Sequence, residues 1–239
     1  MEKLQELLPV IPPLTLEPGE THVHILCRDQ LLAPETADHY AACLPEHELA
    51  RCCSAGSSQL RHARVASRGF LRETLAMYLG GGPASLALAR RSHGKPFLAG
   101  APTHSLVRFN VSNTTDCVGV AISNGLEIGF DLESQTRKTR RHPLAFARRR
   151  FSPSEVEALA ACASEEERMS LFVRMTGATK EAAQSWRFWL MQPEPGMLAG
   201  VCLERAGNLA HAAPAIFRAG KAGAREGPIL VPLLAHGLS

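Results

Sequence analysis

The sequence predicts an α+β protein. Three observations carry that reading: one long stretch of helical period near the middle of the first half, a series of short apolar runs parted by turn residues, and capped helical segments followed by a last pair of strand-like runs. The 239 residues suffice for one large domain or two small ones. Apolar residues make up 45% and charged residues 21%, as in ordinary globular chains, and with only 5% aromatics the core must rest on Leu, Ala and Val.

Residues 1–20 are acidic, broken by prolines and read as an irregular lead-in. They lack the basic start and apolar run of a secretory leader, and no stretch is apolar and long enough to span a bilayer, so a cytoplasmic location and no membrane partner are expected. His22 to Cys27 alternates and reads as a strand. Leu60 to Leu79 reads as a helix, with Leu71, Leu75, Tyr78 and Leu79 at helical spacing and Gly80-Gly81-Gly82-Pro83 ending it. Val107 to Val111, Val118 to Ile122 and Glu127 to Leu132 read as three strands. Asn113-Thr114-Thr115-Asp116 and Asn124-Gly125 supply the turns, the second being a strong hairpin signal.

Ser152-Pro153-Ser154-Glu155 opens a helix: Ser152 caps it, Pro153 fits its first position and Glu155 completes a capping box. Ser164-Glu165-Glu166-Glu167 repeats the box before a second helix running to about Gln184. Ser185 to Leu190 and Met197 to Leu203, flanking Pro193-Glu194-Pro195-Gly196, read as a final hairpin. Beyond Arg205 the chain drifts to Ala, Gly and Arg without a period and reads as a disordered tail over 205–239.

The cysteines number seven, without CxxC spacing, and Cys52 and Cys53 are adjacent, which suits neither a disulfide framework nor a zinc site. Free thiols in a reducing cytoplasm are expected. The net charge of +3 is too small for an argument, but basic residues gather at Arg90-Arg91, at Arg137-Lys138 with Arg140-Arg141, and at Arg148-Arg149-Arg150. Such clusters hold phosphates or meet an acidic protein, or form a solvated face. Nucleic acid is not an expected partner, because no recognised motif accompanies the arginines and two Trp and two Tyr offer little stacking surface.

Asp131 and Glu133 are the sharpest local feature. On a strand, residues i and i+2 share a face, so the two carboxylates stand side by side and repel unless a cation or donor lies between them. A hard ion such as Mg2+ takes such oxygen ligands together with phosphate and water; a solvated strand end has the same pattern. Lys180 and Glu181 offer a phosphate contact and a third oxygen, or an ordinary helix surface. Arg90 and Lys95 flank a basic turn that suits phosphate, Arg as a fork and Lys as a point charge. Asn110, Ser112 and Asn113 end a strand in small hydrogen-bonding side chains.

The order of these pieces is more specific than any one of them. A G-K-P (Gly94-Lys95-Pro96), F-N-x-S (Phe109 to Ser112), G-x-D-x-E (Gly129 to Glu133), F-S-x-x-E (Phe151 to Glu155) and K-E-A (Lys180 to Ala182), preceded by the helix Ser67-Arg68-Gly69-Phe70-Leu71-Arg72, resembles the 4'-phosphopantetheinyl transferases of the larger, surfactin-synthetase-activating type. The match runs from about Leu44 to Ala182, with a further patch at Trp186 to Cys202.

The resemblance implies a fold of two pseudo-symmetric α/β halves with the active site at their junction: 21–125 as the N-terminal half and 126–204 as a C-terminal half shortened by its missing strands. It implies Asp131, Glu133 and Glu181 as Mg2+ ligands, Glu181 also taking the proton of the attacking serine with Lys180 beside it, and Arg51, Arg90, Lys95, Asn110, Ser112 and Asn113 around coenzyme A. The implied function is transfer of 4'-phosphopantetheine from coenzyme A to an acyl or peptidyl carrier protein by a monomer. The Arg137 to Arg150 cluster would face that acidic partner. Three positions depart from the pattern. Asn113 stands where the family has histidine, Gly177-Ala178 where it has Trp-Thr, and Ser185 where it has lysine. They leave open an alternative, a relative that binds coenzyme A or carrier protein without transfer.

Overall fold

Strand β1 (Thr21–Cys27) is buried along nearly its whole length because both of its faces are covered. His22, His24 and Leu26 point to one side and Val23 and Ile25 to the other, and the two sides belong to two different apolar cores. The computed structural model in which this is seen describes residues 14–54, 56–90, 94–99, 106–134, 157–158, 160–161, 163, 186–205, 213–219, 225–229 and 233–236.

Four helices follow β1: α1 (Arg28–Leu31), α2 (Pro34–Ala41), α3 (Glu46–Cys53) and α4 (Ser58–Leu79). The last is the helix expected from the sequence, begun two residues earlier: the Ser57 hydroxyl accepts the Leu60 N–H at 3.2 Å, and Gly80 ends the helix. A 3-10 turn (Pro83–Ser85) leads to a ribbon of β2 (Leu88–Arg90) and β3 (Pro96–Leu98). Then come β4 (Val107–Asn113), β5 (Cys117–Asn124), β6 (Ile128–Ser134), β7 (Trp186–Glu194), β8 (Met197–Glu204), β9 (Ala215–Ala219), β10 (Arg225–Ile229) and β11 (Leu233–His236). One sheet has the order β10-β9-β1-β5-β4 and a second the order β11-β7-β8-β6.

Helices α2 to α4 pack on one face of the first sheet, where Tyr40, Phe70, Leu75, Phe109, Val118, Val120 and Ile122 form one core. The second sheet covers the other face, through Val23, Ile25, Ala121, Phe130, Leu132, Trp189 and Val201. Two glycines permit this stacking. A Cβ on Gly69 of α4 would overlap the backbone and Cβ of Tyr40, so α2 and α4 touch at main-chain distance there. A Cβ on Gly119 would lie 2.6 Å from the Phe130 ring and 2.8 Å from Leu132, so β6 seats against β5 only because position 119 is bare.

Two expectations are corrected. Asn124-Gly125 does turn the chain, but β5 and β6 form no hairpin. Both edges of β5 are taken by β1 and β4, and β6 crosses into the second sheet to pair with β8. The hairpin instead lies at Thr114 to Asp116, with Asn113 opposite Val118. The stretch read as a disordered tail supplies three strands. β9 pairs in parallel with β1 and β10 pairs with β9, while β11 pairs with β7. Strands of four or five residues are too short to display a period, and the partners of β9 and β11 lie far away in sequence. The final hairpin, β7 with β8, stands where the sequence placed it.

Residues 137–150 and 164–185 lie outside the described residues, and with them the basic cluster, the second capped helix, Gly177, Lys180, Glu181 and Ser185. Of the helix expected to begin at Ser152, Glu157, Ala158 and Ala160 are described and helical, and Ala161 N–H donates to the Glu157 carbonyl at 3.0 Å, while residues 151–156 lie outside the described residues. No helix of the described residues is long and apolar enough to cross a membrane.

Candidate active site

β6 is an edge strand, so the backbone groups on its outer side need partners. Side chains of β4 and the ribbon turn supply them. Alternation along β4 turns Phe109 toward the helical core and Asn110 and Ser112 toward β6. The Ser112 hydroxyl accepts the Leu132 N–H at 3.1 Å and donates to Asp131 Oδ1 at 2.7 Å. Asn110 Nδ2 and Lys95 Nζ both donate to the Ile128 carbonyl, at 3.5 and 3.4 Å. Those two bonds are at the outer limit of hydrogen-bond length, so both donors remain available to a stronger acceptor such as a phosphate.

The same strand fixes the carboxylates. Ile128, Phe130 and Leu132 go into the core, and Asp131 and Glu133 emerge exposed on the opposite face with Gly129 between them and the start of the strand. Asp131 is opposite Gly200 in the ladder, and among the described residues nothing lies within 4 Å of a Cβ placed at 200, so the described residues leave the space beside Asp131 open. Gly129 is opposite Cys202, whose thiol is pushed up by burial, with the Lys95 ammonium acting against that shift. Lys95, Asn110, Ser112, Asp131 and Glu133 therefore line one seam along β6.

The other expected residues are placed differently. Arg90 is exposed, and its guanidinium donates to the Gly94 carbonyl at 2.8 Å, which closes the turn that carries Lys95. Asn113 lies on the opposite face of β4 from Ser112, opposite Val118. Arg51 is exposed on α3, its Nε donating to the His47 carbonyl at 3.3 Å. Lys180 and Glu181 lie outside the described residues.

Sequence reasoning missed two groups that hold the seam. Asp116, read as a turn residue, accepts from Ser134 at the end of β6 at 3.0 Å and pairs with Arg28. Partial burial pushes its carboxyl up, but the hydrogen bonds from Arg28 and Ser134 outweigh this and hold it below the usual carboxylate range. Arg72 is 2% exposed; it binds Glu48 and the carbonyls of Pro83 and Leu86, and so anchors the segment that leads into the ribbon. Neither has a local signal, because the partners of Asp116 and Arg72 come from other elements.

The donor set suits a hard divalent cation: two exposed carboxylates on one strand face, one of them oriented by a hydroxyl, beside an open space with cationic and amide donors at its edge. Such a cluster can take a diphosphate and an ion together.

A family model described as 4'-phosphopantetheinyl transferase, N-terminal, matches residues 33–125. The chain is also 33% identical over 166 residues, 69% of its own length and 68% of the relative's, to the 4'-phosphopantetheinyl transferase HetI of Nostoc sp. (strain PCC 7120 / SAG 25.82 / UTEX 2576). The chain belongs to the 4'-phosphopantetheinyl transferase family. The transferase therefore uses coenzyme A as donor and a carrier protein as acceptor. In this transferase the matched stretch carries Lys95, Asn110 and Ser112, whereas Asp131 and Glu133 follow it on the next strand.

Proposed function

We propose that this transferase moves 4'-phosphopantetheine from coenzyme A to a serine of an acyl or peptidyl carrier protein in a Mg2+-dependent reaction at the β4–β6 seam. The observation that carries the reading is the convergence of Lys95, Asn110 and Ser112 on the strand that bears Asp131 and Glu133. Lys95 and Asn110 exchange their long bonds to Ile128 for oxygens of the diphosphate, with Arg90 beside them and Arg51 and Asn113 as outer contacts to the coenzyme. Ser112 holds Asp131 in a fixed orientation. Asp131, Glu133 and Glu181 would hold Mg2+, which when bound supplies charge neutralisation for the diphosphate. Glu181 takes the proton of the carrier serine, with Lys180 beside it. The two halves, 21–125 and a shortened 126–204, belong to the same proposal.

Incubation of the chain with coenzyme A, Mg2+ and apo carrier proteins of both kinds, followed by intact mass, tests the reading. A carrier gaining one phosphopantetheine, and none in chelator, is expected. Gly177 and Ser185 favour a second reading, binding without transfer, for which coenzyme A would bind and no carrier would gain mass.

A further inference from the structure

We propose that His39, Cys43 and Glu73 form a zinc site that clamps α2 to α4, apart from the seam that serves transfer. Their ligand atoms all lie within 4.8 Å of one another, and no other such group of three is found among the described residues. Cys43 follows α2, and its N–H donates to the Tyr40 carbonyl at 3.1 Å, so the chain continues its turn and sets His39 and Cys43 one above the other. Glu73 lies one turn beyond Gly69 on α4. The close contact of Gly69 with Tyr40, the neighbour of His39, fixes the two helices at that spacing. His39 Nε2 and Glu73 Oε1 stand 2.6 Å apart.

Ligand chemistry points to zinc. A cysteine sulfur is foreign to magnesium and calcium, whereas sulfur, imidazole and carboxylate together suit a borderline-soft ion. Two anionic ligands balance the charge of Zn2+, which makes partial burial tolerable. Cys43 is 7% exposed, while the side chains of His39 and Glu73 are 31% and 19% exposed, leaving one open side for entry and a fourth, water ligand. Ligands around tetrahedral zinc stand about 3.4 Å apart, so binding parts His39 from Glu73 by roughly 1 Å, within reach of a Glu side-chain rotation. The Cys43 proton goes to solvent on binding.

The test is a titration of the reduced, metal-stripped full chain with Co2+, a spectroscopic stand-in, followed by Zn2+. One equivalent of Co2+ should give a thiolate charge-transfer band that Zn2+ abolishes and Mg2+ does not. Cys43→Ser should lose the band, and Cys52→Ser and Cys53→Ser should keep it. Loss of an outer partner alone weakens metal sites by about 10–100-fold, so His39→Asn, which removes a ligand, should weaken Zn2+ binding by at least that much. His39→Asn also gives the readout if Cys43→Ser does not fold. A band that survives Cys43→Ser, unchanged affinity in His39→Asn, or no sulfur-ligated Co2+ in the wild-type chain would overturn the proposal.

Discussion

Replacing Arg72 with methionine tests how the helical layer positions the seam. The Arg72 side chain is 3% exposed and faces Glu48, itself 15% exposed. Nη2 donates to Glu48 Oε1 at 2.7 Å and Nε to Oε2 at 3.2 Å, a bidentate pair, while Nη1 donates to the carbonyls of Pro83 and Leu86, both at 2.9 Å. Methionine keeps the packing of the stem and removes every donor. Breaking a buried pair by deleting one partner costs about 3–5 kcal/mol; because water reaches Glu48, the lower end, about 3 kcal/mol, is expected. Glu48→Gln leaves the guanidinium its carbonyls and an amide oxygen, and about 1–2 kcal/mol is expected. The double variant should lose less than the sum of the two by at least about 1 kcal/mol. Urea unfolding followed by circular dichroism measures all three. Loss of under about 1 kcal/mol in Arg72→Met, or strict additivity, would refute the reasoning. Because Arg72 anchors the segment that leads to Arg90 and Lys95, the variant should also raise KM for coenzyme A.

Four further outcomes are expected. The hydrogen bonds from Arg72 hold the Glu48 carboxyl below its usual range against its partial burial, so that contribution is complete above the unfolded value of about 4.3 and is lost as pH falls through the lower folded value; acid unfolding profiles of wild type and Glu48→Gln should converge toward low pH. Gly119→Ala should cost about 1–3 kcal/mol by overpacking against Phe130 and Leu132, and should lower transfer because β6 is displaced, as chemical unfolding and a transfer assay will read. Asp131→Asn and Glu133→Gln should each lower kcat by about a hundredfold or more, the scale for losing one preorganised electrostatic contact, with unfolding midpoints near wild type because both side chains are exposed. Lys95→Ala should raise KM for coenzyme A, measured with saturating carrier protein, more than it lowers kcat.

The longer strands, β1 and β4 to β8, and the long helix were legible because each satisfies a local period. Phe130 and Leu132 against Asp131 and Glu133 give alternation in four letters, and α4 shows Leu71, Leu75, Tyr78 and Leu79 at helical spacing and its end at Gly80, while its cap at Ser57 was not read. Pairing was not legible. Asn124-Gly125 carries the hairpin signal, yet whether two strands join edge to edge or face to face depends on which edges of β5 are already filled. β9 was hidden for the same reason: its partner, β1, lies at the far end of the chain. In the site, Asp131 and Glu133 announced themselves by spacing on one strand. The approach of Ser112, Lys95 and Asn110 to that strand needed the crossover of β6, and Asp116 and Arg72 act through partners no short window contains.

The most direct measurement is a crystal structure of the chain with coenzyme A and Mn2+, read by anomalous scattering. An ion bound by the carboxylates of Asp131 and Glu133, with the diphosphate beside it and within hydrogen-bond distance of Lys95, is the predicted result. A diphosphate bound away from β6, or an ion that leaves both carboxylates untouched, would contradict the account.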